Sequence, residues 1–131
     1  MEEVVLSKGN RTVRVLLALF SWLFFICIII QVFLAGLAIF VSQGQWADHE
    51  LFVRFFAFLP IIMLILSLLG KTTKGYKWQC FGLFLMIILQ YMTAGLSSNL
   101  PYISALHPIL ALILFWRALV TAKESTTMLK K

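Results

Sequence analysis

Apolar residues run almost without interruption from 15 to 41, with only Ser21, Trp22, Cys27, Gln31 and Gly36 intervening. Three further runs follow at 51–69, 78–96 and 103–122; Arg54, Pro60 and Ser67 interrupt the second. A helix needs about 20 mostly apolar residues to cross a bilayer, and each run meets that length. A membrane strand would alternate and be half as long, so strands are excluded. The first run is also longer than a signal-peptide core, and it reads as a retained helix. The links at 42–50, 70–77 and 97–102 are short, which makes successive spans antiparallel neighbours. The expectation is an all-α, transmembrane four-helix bundle, up-down-up-down, in a single domain over 1–131. Pro60 should kink the second span.

Composition narrows the class. Of the 131 residues, 62% are hydrophobic and 12% charged, and the mean hydropathy is +0.99. Soluble domains carry about 25% charged residues, so a soluble enzyme, a disordered chain and a disulfide module are excluded. The net charge of +6 serves topology rather than nucleic-acid binding. Lys8, Arg11, Arg14, Lys71, Lys74, Lys77, Arg117, Lys123, Lys130 and Lys131 all fall at one end of the bundle. The links at the other end carry Asp48 and Glu50 instead. The positive-inside rule therefore predicts a multi-pass protein of the cell membrane with both termini cytoplasmic. Tyr76, Trp78 and Trp116 would mark the inner interface, and Trp46 and Tyr102 the outer one. Residues 1–12 and 124–131 read as mobile polar tails. Cys27 and Cys80 lack metal-ligand spacing and read as buried hydrophobes.

The chain also contains a duplication. Span one carries Gln31-x-x-x-Ala35-Gly36-Leu37 and span three Gln90-x-x-x-Ala94-Gly95-Leu96. His49 follows the first glutamine by 18 residues and His107 follows the second by 17; the protein has no other histidine. Each half, 15–69 and 78–122, is then one helical hairpin, and the two are parallel repeats about the membrane normal.

The repeat places His49 and His107 at similar depth on diagonal helices. With neighbouring axes 8–10 Å apart, that diagonal is roughly 11–14 Å. Two imidazoles facing inward across such a gap could hold an iron as axial ligands. Gly36 and Gly95 would give a flat macrocycle clearance against the flanking backbones. The plainer reading is that the small residues serve helix packing and that His107, before Pro108, opens the fourth helix. Gln31 and Gln90 should face the bundle, either in interhelical hydrogen bonds or against a ligand such as a haem substituent or a quinone carbonyl. Asp48, His49 and Glu50 cannot converge on one ion, because consecutive helical residues point about 100° apart. Arg54 should pair with Glu50 one turn earlier, and Arg117 should snorkel to the headgroups.

The stretch Gln31-Val32-Phe33-Leu34-Ala35-Gly36 followed by His49, together with Ala105-Leu106-His107-Pro108, resembles a family of small bacterial four-helix membrane proteins of unknown function. It more distantly resembles one half of haem A synthase and the bis-histidine b-type cytochromes of membranes. The resemblance implies His49 and His107 as haem ligands. Haem A synthase carries further histidines and often an outer-loop cysteine pair; this chain has neither, and its synthase activity is not implied. The leading expectation is a haem b protein for electron transfer or haem handling, with a membrane redox or haem-pathway partner. The others are a cofactor-free accessory protein acting through helix contacts, homo-oligomers included, and a quinone- or small-ligand-binding bundle lined by Gln31 and Gln90.

Overall fold

The structure is a computed structural model, and it describes residues 8–130. Residues 1–7 and Lys131, which include much of the expected N-terminal tail and one of the counted lysines, lie outside the described residues. Among the described residues, six helices build four spans: α1 (Lys8–Phe40), α2 (Trp46–Phe56) with α3 (Leu59–Leu69), α4 (Lys74–Gly95), and the short α5 (Pro101–Ser104) with α6 (His107–Leu129). All four spans are long and apolar enough to cross a membrane.

Local chemistry sets most of the boundaries. The Ser42 side chain accepts from the Gly44 amide and opens a single 3₁₀ turn, Gln43–Gln45, that leads into α2. Thr73 caps α4 by accepting from the Tyr76 amide at 3.2 Å. Pro60 and Pro108 sit in the first turns of α3 and α6, where a missing N–H costs no helical bond. Pro60 therefore divides span two at Ala57–Phe58 into two helices. Between α3 and α4, Lys71 adopts φ 47°, the left-handed region. A Cβ on the adjacent Gly70 would lie 2.6 Å from Val13 Cγ1, so the end of α3 meets α1 there with no room for a side chain.

The helices extend beyond the apolar runs. Helix α1 begins at Lys8, and α6 continues to Leu129. Residues 8–12 and 124–129 are thus helical and not the polar tails expected of them. The hydrophobic run underestimates a helix whose last turns leave the hydrocarbon and bear charge.

Helix α1 packs against α2, α3 and α6, and α4 packs against α3 and α6. The spans form a ring in chain order, which sets spans two and four on a diagonal. Burial is uneven along the bundle axis. Near the termini, Leu17 and Phe24 of α1, Met63 of α3, Tyr76 and Leu83 of α4, and Ala118 of α6 are all buried in one core. From Ile29 onward in α1 and Ile88 onward in α4, Ala38 and Thr93 are the only buried residues. On the returning spans none is buried before Phe56 or between Pro101 and Ile113. One end of the bundle is close-packed, and the end that carries both histidines is open.

Candidate functional site

The open end holds the duplicated residues, and the structure joins each glutamine to its own histidine. His49 sits in the first turn of α2 and not in the preceding link. Its Nδ1 lies 3.0 Å from the Gln31 main-chain carbonyl, and a carbonyl requires a donor, so Nδ1 carries the proton. Gln31 Nε2 donates in return to the His49 carbonyl at 2.8 Å. Trp46 packs edge-on against the imidazole, with centroids 5.6 Å apart.

The second half repeats this clamp. His107 is the first residue of α6, and its Nδ1 lies 3.1 Å from the Gln90 carbonyl. Thr93 Oγ1 stands 3.1 Å from the same nitrogen. With the Gln90 amide nitrogen turned towards His107, both of its polar atoms find partners. The nitrogen donates to the His107 carbonyl at 3.2 Å and lies 2.9 Å from His107 Nδ1, and the oxygen accepts from the Ala111 amide at 2.8 Å. Each hairpin is therefore closed near its turn by a reciprocal pair of bonds between one helix's Gln and the next helix's His.

The two clamps have consequences for the imidazoles. At His49 the proton on Nδ1 leaves Nε2 with its lone pair; at His107, Nδ1 faces the Gln90 carbonyl and also the turned Gln90 amide nitrogen at 2.9 Å, so these contacts do not select one tautomer, and neither Nε2 makes a hydrogen bond among the described residues. Both histidines are half-buried, and His49 lies within electrostatic reach of His107 across the bundle. A Cβ built on Gly36 or on Gly95 would meet nothing within 4 Å. Gln31 Oε1 and Ser104 Oγ are buried without a hydrogen-bond partner. Among the described residues no three His, Cys, Asp or Glu side chains gather as a metal cluster. Arg54 and Glu50 are both exposed, and the expected pair between them does not form.

A second polar arrangement, at the packed end, was not anticipated from the sequence. Tyr76, expected at the interface, is fully buried and donates to Ser21 Oγ at 2.9 Å, while Ser21 donates to the Leu17 carbonyl at 2.7 Å. Gln79 donates to Glu124 Oε2 and receives the Thr121 hydroxyl on its own Oε1 at 3.1 Å. Arg14 donates to the Met128 carbonyl at 3.1 Å, placing a cation at the C-terminal end of α6, where the helix dipole favours it. The available signal was the stripe Leu114, Ala118, Thr121, Ala122, Ser125, Met128, whose helical spacing carries the fourth span beyond residue 122. Cys27 and Cys80 are free thiols in the packed core, as expected.

Lipid-facing helices around a half-open core define a small four-span integral membrane protein. Within that class, the model of a family of unknown function, DUF6220, matches residues 31–96, half of the chain, and the chain belongs to this family. The matched segment opens on Gln31, contains His49 and Gln90, and ends just after Gly95. No curated protein and no solved structure matches the chain, and nothing in these comparisons links it to haem A synthase or to cytochromes.

Proposed function

We propose that this membrane protein binds haem b at its open end, with Nε2 of His49 and of His107 as the two axial ligands. The observation that carries this reading is that both imidazoles are held with Nδ1 against main-chain carbonyls, at 3.0 and 3.1 Å, and that neither Nε2 has a partner among the described residues. Metal-ligating histidines characteristically donate their other ring nitrogen to a carbonyl or carboxylate, which fixes tautomer and ring orientation.

The residues around the pair fit a flat, largely apolar group. The open ends of the spans are apolar, Gly36 and Gly95 leave space beside their backbones, and Gln31 Oε1 and Ser104 Oγ await polar partners. A haem with both axial positions taken by protein supports electron transfer or haem carriage in preference to oxygen activation. The chain's own part is to hold the imidazoles in place through Nδ1 and to keep water from a hydrocarbon-lined end. The basic end, by the positive-inside rule, faces the cytoplasm, which sets the site towards the outer leaflet.

One observation favours a second reading. Three of the four polar atoms of the two glutamine amides, and both Nδ1 atoms, are already satisfied inside the protein. The clamps would then be hairpin staples in a cofactor-free protein that acts through helix contacts. Quinone binding draws less support: a quinone carbonyl needs a donor, and Gln31 turns its amide nitrogen to His49 and leaves an acceptor unpartnered.

The test is to purify the protein in mild detergent from haem-supplied cells and record oxidised and reduced visible spectra of wild type, His49→Ala and His107→Ala. Sharp reduced bands in wild type that either substitution abolishes support the proposal. Bands that survive both substitutions reject it and leave the staple reading.

A further inference from the structure

A shallow, open groove of about 460 Å³ runs down the lipid-facing seam between α1 and α6, at the packed end of the bundle. Val15, Leu19, Leu23 and Ile26 line it from α1, and Thr126 and Leu129 from α6. Ala18, also in its wall, is too small to fill it. At 1.5 Å per residue the groove spans about 16 Å between Val15 and Ile26, close to half of the roughly 30 Å hydrocarbon thickness. Its depth is therefore that of one leaflet. Past Val15 the groove adjoins a more polar depression lined by Arg11 and Thr12, and Arg11 is exposed there.

We infer that this seam is a binding site for one anionic phospholipid, with an acyl chain along α1 and the headgroup phosphate on the Arg11 guanidinium. An apolar trough one leaflet long that ends at a cation is complementary to a molecule with a tail of that length and an anionic head. Arginine suits the role because its planar fork can make two bonds to one phosphate. Trp22 walls the groove, and its indole N–H is engaged with Thr126 Oγ1 at 2.9 Å. That bond ties α1 to α6 and leaves the trough walls apolar. A second copy of the chain is a poorer occupant. Two copies of the same orientation, meeting on this face, would bring their Arg11 residues together at one depth, and like charges repel most strongly where water is scarce.

The experiment is native mass spectrometry of the full chain, released from detergent after equilibration with equal amounts of phosphatidylglycerol and phosphatidylcholine. The expected wild-type spectrum shows one retained phosphatidylglycerol per chain. Arg11→Gln should lower that retained fraction about five-fold, the effect of one basic contact at a membrane surface. Arg11→Lys should keep most of it, and Lys74→Gln, which removes an exposed cation at the same end but on α4, should leave it unchanged. Equal retention of the two lipids, equal losses in Arg11→Gln and Lys74→Gln, or a doubled chain mass without lipid would each overturn the inference.

Discussion

Replacing Gln90 should destabilise the bundle more than replacing Gln31, although the two occupy equivalent places in the repeat. The perturbation is Gln→Met, which keeps an unbranched chain of similar length and removes the amide. Gln90→Met loses the amide nitrogen's contacts with the His107 carbonyl and Nδ1 and the bond from the Ala111 amide. Side-chain hydrogen bonds in membrane proteins average about 0.6 kcal/mol and reach about 1.7 kcal/mol, so the loss is roughly 1–2 kcal/mol. Gln31→Met loses one bond, to the His49 carbonyl, but also removes a buried Oε1 that has no partner. An unsatisfied buried acceptor costs about 1–3 kcal/mol, so its removal offsets the lost bond and the net effect is near zero. The general gain from placing an apolar side chain in hydrocarbon is common to both and cancels in the comparison. In both variants the histidine keeps its Nδ1 contact with the glutamine main-chain carbonyl. The assay is reversible unfolding in mixed micelles, with helix content read by circular dichroism against denaturing-detergent fraction. Equal destabilisation, or a greater loss in Gln31→Met, would refute the unequal satisfaction of the two amides.

Gly70→Ala should cost about 1–3 kcal/mol in the same unfolding assay, because the new methyl overlaps Val13, and Val13→Ala should restore most of the loss. Lys71→Gly should raise stability by about 1 kcal/mol, since it relieves the left-handed backbone of a residue with a Cβ; an unchanged midpoint would count against it. Gln79→Leu should destabilise by about 1–3 kcal/mol, as it strips Glu124 of its partner within the bundle, while the Thr121 hydroxyl keeps the Arg117 carbonyl; the double variant Gln79→Leu/Glu124→Leu should recover part of that loss. Single cysteines at Gln43 and Ser98 should be modified by a membrane-impermeant reagent from one side of sealed vesicles, and one at Lys74 only from the other. The buried native thiols, Cys27 and Cys80, should give little background.

The sequence carried the architecture because bilayer thickness is an unforgiving ruler. Four apolar runs with short links leave few alternatives to an antiparallel ring. It also carried the repeat, since matched intervals of 18 and 17 residues separate Gln31 from His49 and Gln90 from His107, but not that each glutamine meets its own histidine. The form of the pairing was not legible. Side-chain type announces that an amide wants a partner, but not that the partner is the histidine's main chain and that the imidazole replies in kind. The buried links among Ser21, Tyr76, Gln79, Thr121 and Glu124 were obscured for a different reason. An apolar-run criterion ends a span where charge begins, while the helix continues and packs its small and hydroxyl residues inward. The unequal packing of the two ends was likewise invisible, because a lipid-facing residue and a core residue are equally apolar.

The central claim is that two anchored imidazoles at the open end share one iron. The most direct measurement is the haem content of the purified, monodisperse wild-type protein, by haemochrome assay against protein concentration. The account predicts one haem b per chain, released when either histidine is replaced while the helical spectrum is retained. A colourless protein with a full helical spectrum, prepared from haem-replete cells and unable to take up added haem, would contradict it.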